Sequence, residues 1–294
     1  MYTRVTENSV SSRVLGNLQG NLNRLGRLQE QLSSGKQITR PSDSPTGTVS
    51  AMQLRQETRR VEQYGRNIDD GMGWLSTTDT TLTSTLDQLH RVNDIALQGM
   101  SSGSVSTSSR EALAVEVDNI RASLLQVANT RYLDRPIFGG TTAGTDAYDP
   151  TGGYVGDAGT VMRTVGDGAK VRVDVTGPTV FGASPNDLFT VLGNIANNLR
   201  TNPTALTADL SQLNTATTQI QSELAGVGAR YNRLSVMKEN GEQRLLTLTT
   251  QRSEMEDIDL PNTIMELQLQ QTAYQAALAA TAKVIQPSLV DFLR

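Results

Sequence analysis

His90 is the single histidine of a chain with no cysteine, so a first-row metal site would have to be built from carboxylates alone. A lone imidazole between Leu89 and Arg91 on a helix, with no second histidine and no cysteine in the chain, reads as a solvated or interface residue. The densest carboxylate cluster is Glu254, Glu256, Asp257 and Asp259. Lying just ahead of Pro261, it suits a solvated turn whose negative charge favours the N-terminus of the next helix. Gly226-Val227-Gly228 offers the opening glycines of a dinucleotide loop, but no strand precedes them. Ser33-Ser34-Gly35-Lys36 lacks both the first glycine and the hydroxyl residue of a phosphate-binding loop. Thr77, Thr78, Thr80, Thr81, Thr83 and Thr85 read as a polar helix face, and Trp74 beside Leu75 as a core anchor. The expectation is therefore no catalytic, cofactor-binding or metal-binding residue, and no cofactor.

These side chains sit on striped helices. Val10, Leu15, Leu18, Leu22, Leu25, Leu28 and Leu32 recur at steps of mostly three and four, which lays a leucine stripe along one helix face. That helix should end at Ser34-Gly35. After the loop Arg40-Pro41-Ser42-Asp43, Ser44 is placed as an N-cap with Pro45 at the first helical position. Leu54, Val61, Ile68, Leu75, Leu82 and Leu89 then repeat every seven residues, with Met72, Leu86 and Val92 widening the stripe. Gly65, Gly71 and Gly73 each weaken a helix interior by about 1 kcal/mol relative to Ala, so a bend or break is expected near Gly71 to Trp74. Ser108 with Glu111 reads as a capping box opening a third helix, buried through Leu113, Val117, Ile120, Leu124 and Val127.

Between Ile137 and Pro185 glycines interrupt every candidate helix. Val161 to Val165 and Lys170 to Val175 alternate as strands across Gly166-Asp167-Gly168. Two strands alone are marginal, so further strands are expected at Thr179 to Phe181 or Tyr148 to Val155. Helical signals resume at Asp187. From Leu206 to Leu248 mostly apolar positions, with Thr217, Lys238 and Gly241 among them, alternate steps of four and three without a slip, a coiled-coil seam about 65 Å long at the rise of an α-helix. A final helix restarts at Pro261 with the seam Ile264, Leu267, Gln271, Tyr274, Leu278, Thr281 and Ile285, ahead of Leu289 and Phe292.

Composition agrees with helices that each bury one stripe: in 294 residues, 37% are hydrophobic and only 4% aromatic. A formal net charge of -4 offers no basic field for nucleic acid. The segment Met1 to Val14 lacks the apolar core of a secretory signal and no run is long enough to span a bilayer, so neither a nucleic acid nor a membrane is expected as a partner.

Leu28 to Ile38, followed by Arg40-Pro41-Ser42-Asp43-Ser44-Pro45, resembles the N-terminal signature of the flagellin-like proteins of the bacterial flagellum. The resemblance continues through Asn129 and Tyr132 to Ile137-Phe138-Gly139-Gly140-Thr141. At the other end, Tyr274 to Leu278 and Ser288 to Leu293 look more like the branch at the hook-filament junction than like filament subunits. Gln37 departs from the family, where a basic residue is common. The resemblance implies a structural subunit that forms a ring with copies of itself, between the first hook-associated protein and filament flagellin. It also implies export without a cleaved signal peptide and an export chaperone bound to the C-terminal helix, about Ile264 to Arg294.

The expected fold is mainly α, an elongated rod of long antiparallel helices in coiled coils, with a small β-rich inserted outer domain. Expected boundaries are 1–44 and 258–294 for the terminal coiled coil, 45–137 and 187–257 for the helical rod, and 138–186 for the insert. Assembly is expected to use Leu15, Leu18, Leu22, Leu25, Leu28 and Leu32 against Leu267, Tyr274, Leu278, Ile285, Leu289 and Phe292. Filament flagellin is the nearest alternative. A cytoplasmic coiled-coil adaptor and an enzyme housed in the glycine-rich insert are alternatives of other classes.

Overall fold

The computed structural model describes residues 7–101 and 106–285, with side chains over 12–101 and 106–282. The chain is mainly α: α1 (Glu7–Ser34), α2 (Pro45–Met100), α3 (Thr107–Ala128), α4 (Gly177–Phe181), α5 (Leu188–Thr201), α6 (Leu206–Glu256) and α7 (Leu260–Ile285). Between α3 and α4 lie four short strands, β1 (Arg131–Tyr132), β2 (Arg135–Pro136), β3 (Met162–Thr164) and β4 (Lys170–Arg172). They form two separate antiparallel pairs, β1 with β2 and β3 with β4. The chain divides into two compact units: a terminal unit of residues 1–60 and 245–294, and a central unit of residues 61–244.

The central unit holds one hydrophobic core. Ile68, Leu75, Leu82 and Leu89 of the seven-residue repeat on α2 are buried in it, as are Leu206, Leu213, Ile220, Val227 and Leu234 of the seam on α6. Tyr231 departs from that seam and is 37% exposed. Helices α3 and α5 pack on each other; α3 buries Val117 and Leu124 as expected together with Ala114, Leu125 and Ala128, and Leu113 and Ile120 pack against the core partly buried. Beneath the loops an aromatic group completes the core: Phe138, Tyr148, Phe181 and Phe189, with contacting ring centroids 5.1 to 5.6 Å apart, edge-on except for the tilted Phe181–Phe189 pair. Trp74 is buried at 1% exposure and stacks edge-on against Tyr132 at 5.7 Å, the core anchor its sequence context suggested.

Several local expectations are corrected. Helix α2 runs unbroken through Gly71 to Trp74. A Cβ on Gly71 would meet Leu234 and Val173 at 3.1 Å, and one on Gly73 would collide with the Tyr132 hydroxyl. These glycines admit close neighbours; they do not end the helix. The N-cap of α3 is Ser106, whose hydroxyl accepts from the Ser109 amide at 3.1 Å, and not Ser108. Thr179 to Phe181 is helical within α4, and the Tyr148 region contributes only a single bridge to Tyr154. The insert is therefore loop-rich, its backbone held by side chains such as Asp149, which accepts from the amides of Thr151 and Gly153.

The threonine run is not a simple polar face. Thr78 and Thr85 are fully buried and Thr81 nearly so, with their hydroxyls donating to the carbonyls of Trp74, Thr81 and Thr77 respectively. Each hydroxyl is satisfied one turn back along the helix, which leaves the methyl group for the core. His90 is exposed, and Gly226-Val227-Gly228 lies within α6 with Val227 facing the core.

The terminal helices as a candidate assembly surface

Helix α1 ends at a left-handed glycine. Gly35 adopts φ +68° and its amide donates to the Gln31 carbonyl at 2.8 Å, which satisfies a carbonyl the helix end would otherwise leave open. The next residues do not enter a free loop but zip against the segment joining α6 to α7. The Gln37 amide donates to the Glu256 carbonyl at 2.6 Å, the Ile258 amide donates to the Gly35 carbonyl at 3.2 Å, and Lys36 and Asp257 form an antiparallel bridge between them.

Side chains lock the same junction. The Lys36 ammonium lies 2.5 Å from Asp257 and 3.6 Å from Glu256, and the Arg55 guanidinium reaches Glu256 at 2.8 Å. Glu256 is 3% exposed. Burial pushes its carboxyl up, but the Arg55 hydrogen bond and the charges of Arg55, Lys36 and Arg252 outweigh burial and leave it below the ordinary glutamate value. Asp257 is also held low, by hydrogen bonds from Lys36 and Ser253. The acidic cluster is thus not a solvated turn throughout, because Glu256 is a buried ion-pair partner. Asp259 does what its position promised: its carboxylate accepts from the Asn262 amide and its carbonyl from the Thr263 amide, capping α7. Among the described residues no three His, Cys, Asp or Glu side chains converge as a metal site would require. Nor is any described helix long and apolar enough to cross a membrane.

A second clamp fixes the loop into α2. Asp43 accepts from the amides of Thr39 and Arg40, Arg40 makes a forked pair with Glu30, and the Gly47 amide donates to the Ser44 hydroxyl at 3.1 Å. The N-cap at Ser44 with Pro45 as first helical residue is as the sequence indicated.

From this junction α1 and α7 pack on each other. The Gln270 amide reaches the Asn21 carbonyl at 3.4 Å, which, with Lys36 opposite Asp257, makes the two helices antiparallel. Leu18, Leu25, Leu28 and Leu32 of α1 and Leu267 and Tyr274 of α7 are half-buried. Leu15, Leu22 and Leu278 are not covered, at 54%, 52% and 44% exposure. The Ile285 side chain, Leu289 and Phe292 lie outside the described residues.

The terminal unit leaves a large apolar surface open. Among its described residues the hydrophobic side chains it buries are Ala51 and Leu248, whereas Leu246, Met265 and Leu269 are 70%, 62% and 72% exposed. Leu269 borders a groove of about 700 Å³ shared with Leu28, Ile38 and Met255 and rimmed by Arg24 and Arg27. Sequence reasoning found the leucines but missed Lys36, Arg55 and Glu256. Their signal, opposite charges on and just beyond helices, is common to most helical chains.

Residues 5–142 match the bacterial flagellin N-terminal helical region and residues 210–293 match the bacterial flagellin C-terminal helical region. The chain belongs to the bacterial flagellin family. Its members are structural components of the bacterial flagellum, and that is where this chain belongs. Flagellar hook-associated protein 3 of Escherichia coli K12 is 26% identical over 277 residues, covering 85% of this chain and 87% of that protein. The flagellar filament 30.7 kDa core protein of Treponema maltophilum is 24% identical over 284 residues, covering 93% of this chain and 92% of its own. The crystal structure of the flagellar junction protein FlgL from Legionella pneumophila shares the fold with a TM-score of 0.58 at 17% identity, over 70% of this chain and 99% of that one. Asn129 and Ile137 to Thr141, which carried the resemblance in sequence, form the foot of the insert: the Asn129 side chain holds Tyr148 through both its backbone groups, at 2.9 and 2.8 Å.

Proposed function

We propose that this flagellin-family chain is a non-catalytic subunit that forms a ring with its own copies and joins hook to filament. The observation that carries this reading is the terminal unit, which among its described residues buries only Ala51 and Leu248 of its hydrophobic side chains while exposing leucines and methionines along α1, α2 and α7. An apolar surface of that kind is stable in water when copies cover it. The exposed Leu15 and Leu22 on α1 and Leu278 on α7 would then meet neighbours, and the half-buried Leu18, Leu25, Leu28, Leu32, Leu267 and Tyr274 would hold the pair together. Ile285, Leu289 and Phe292 complete the proposed surface.

The partners that fit are the first hook-associated protein on one side and filament flagellin on the other. An export chaperone would cover the C-terminal helix, about Ile264 to Arg294, before assembly, and export would proceed without a cleaved signal peptide. Filament flagellin itself is the second reading, favoured by the length over which the Treponema filament protein aligns. Immunogold labelling of isolated flagella with antibody against residues 144–185 separates the two. The junction role requires a single band where hook meets filament. Label along the whole filament makes the chain a filament subunit, and absence of label from the flagellum defeats both.

A further inference from the structure

With no cysteine in the chain, methionine thioethers are its only readily oxidised sulfurs. Their environments differ sharply. Met72, Met100 and Met237 are partly buried against the central core, and Met255 is half-buried in the groove of the terminal unit. Met52 and Met265 are 56% and 62% exposed. Both lie in open apolar stripes of the terminal unit: Met52 one turn from Val49 on α2, at 56% exposure, and Met265 one turn from Leu269 on α7, at 72%.

We propose that Met52 and Met265 are an oxidation site for peroxides, open in the free chain, at which sulfoxide formation blocks assembly. In the reaction a sulfur lone pair attacks one peroxide oxygen and the O–O bond breaks. Sulfur gives up two electrons and keeps that oxygen as the sulfoxide, and the proton it sheds combines with the departing hydroxide to leave water. Each event places a strongly polar S–O group in an apolar contact surface. The site becomes inaccessible once copies cover it, so only chains not yet incorporated respond. This inference rests on the assembly role proposed above.

Met162 supplies an internal control, because it is 45% exposed but lies on β3 in the central unit. The full chain is treated with hydrogen peroxide, sulfoxides are located by peptide mass spectrometry, and incorporation onto isolated hooks is measured before and after treatment. Met52, Met265 and Met162 should oxidise ahead of Met72, Met100 and Met237, and incorporation should fall at least tenfold. Each variant is referred to its own untreated incorporation: treatment should change that of M52L/M265L less than twofold, and should lower that of M162L as it does the parent's. Incorporation that survives full oxidation of Met52 and Met265, or that is lost equally in M52L/M265L, overturns the inference alone. Failure of the untreated chain to incorporate overturns the assembly role and the inference with it.

Discussion

Lys36 and Asp257, separated by 221 positions, are joined both as bridge partners in the backbone and by a 2.5 Å contact between ammonium and carboxylate. The contact closes a strap between the end of α1 and the start of α7. Behind it Glu256 is buried and holds Arg55 as well, so the strap has one exposed ion pair and one sheltered carboxylate.

Replacing Glu256 by Gln should loosen the strap. It removes the carboxylate from beside Arg55 and Lys36, and Arg55 is exposed enough to turn to water, so the expected loss is about 1–2 kcal/mol. Hydrogen exchange should quicken at the Gln37 and Ile258 amides, with the central core amides unchanged. Unaltered exchange at both would show that the backbone pairing stands without the charge.

The strap should also respond to acid. Glu256 and Asp257 have folded values below their unfolded ones, so their contribution is complete at neutral pH, begins to fall near the unfolded range of about 4, and is lost as pH drops through the lower folded values. Carboxyl NMR titration should give midpoints for both residues below the ordinary glutamate and aspartate values. Protection at Ile258 should be flat from pH 7 to about 5.

Two glycines of α2 should behave oppositely. Gly65→Ala meets open space and gains helix propensity, so a stabilisation of up to about 1 kcal/mol is expected. Gly73→Ala drives a methyl into the Tyr132 ring that stacks on Trp74, and the overpacking should outweigh the same propensity gain by about 1–2 kcal/mol. Thermal unfolding of the two variants would read the difference directly.

Thr78→Val should be tolerated within about 1 kcal/mol, because the Trp74 carbonyl keeps its helical partner when the hydroxyl is replaced by a methyl of similar size. Thr78→Ser keeps the hydroxyl and loses the buried methyl, and should destabilise by roughly 1 kcal/mol. The reverse ranking in urea unfolding would make the hydroxyl the important group.

Leu269→Gln tests the open surface. The side chain is 72% exposed, so the monomer's stability should change by less than about 0.5 kcal/mol. Incorporation onto hooks should nonetheless fall markedly. Incorporation at the parental level would take Leu269 out of the proposed surface.

Much of this architecture is written locally in the chain. The heptads of α2 and α6 mark their buried stripes, Ser44 and Asp187 mark where helices begin, and Gly166-Asp167-Gly168 marks the hairpin of β3 and β4. Each is settled by neighbours within a few residues. Gly71 and Gly73 were misleading because propensity measures what glycine does to an isolated helix, whereas these two glycines answer to Leu234, Val173 and Tyr132 from distant segments. The same distance hid Lys36, Arg55 and Glu256, whose meeting depends on how the two ends of the chain align.

That the described residues of the terminal unit bury little more than Ala51 and Leu248 carries a thermodynamic consequence. Where few apolar contacts are internal, the free energy that keeps a fold ordered must come from contacts with other chains, and it then scales with the logarithm of their concentration. On the assembly role proposed above, dilution would act on α1 and α7 as a denaturant does, whereas the central unit, with Trp74 and the aromatic group enclosed, has a core of its own.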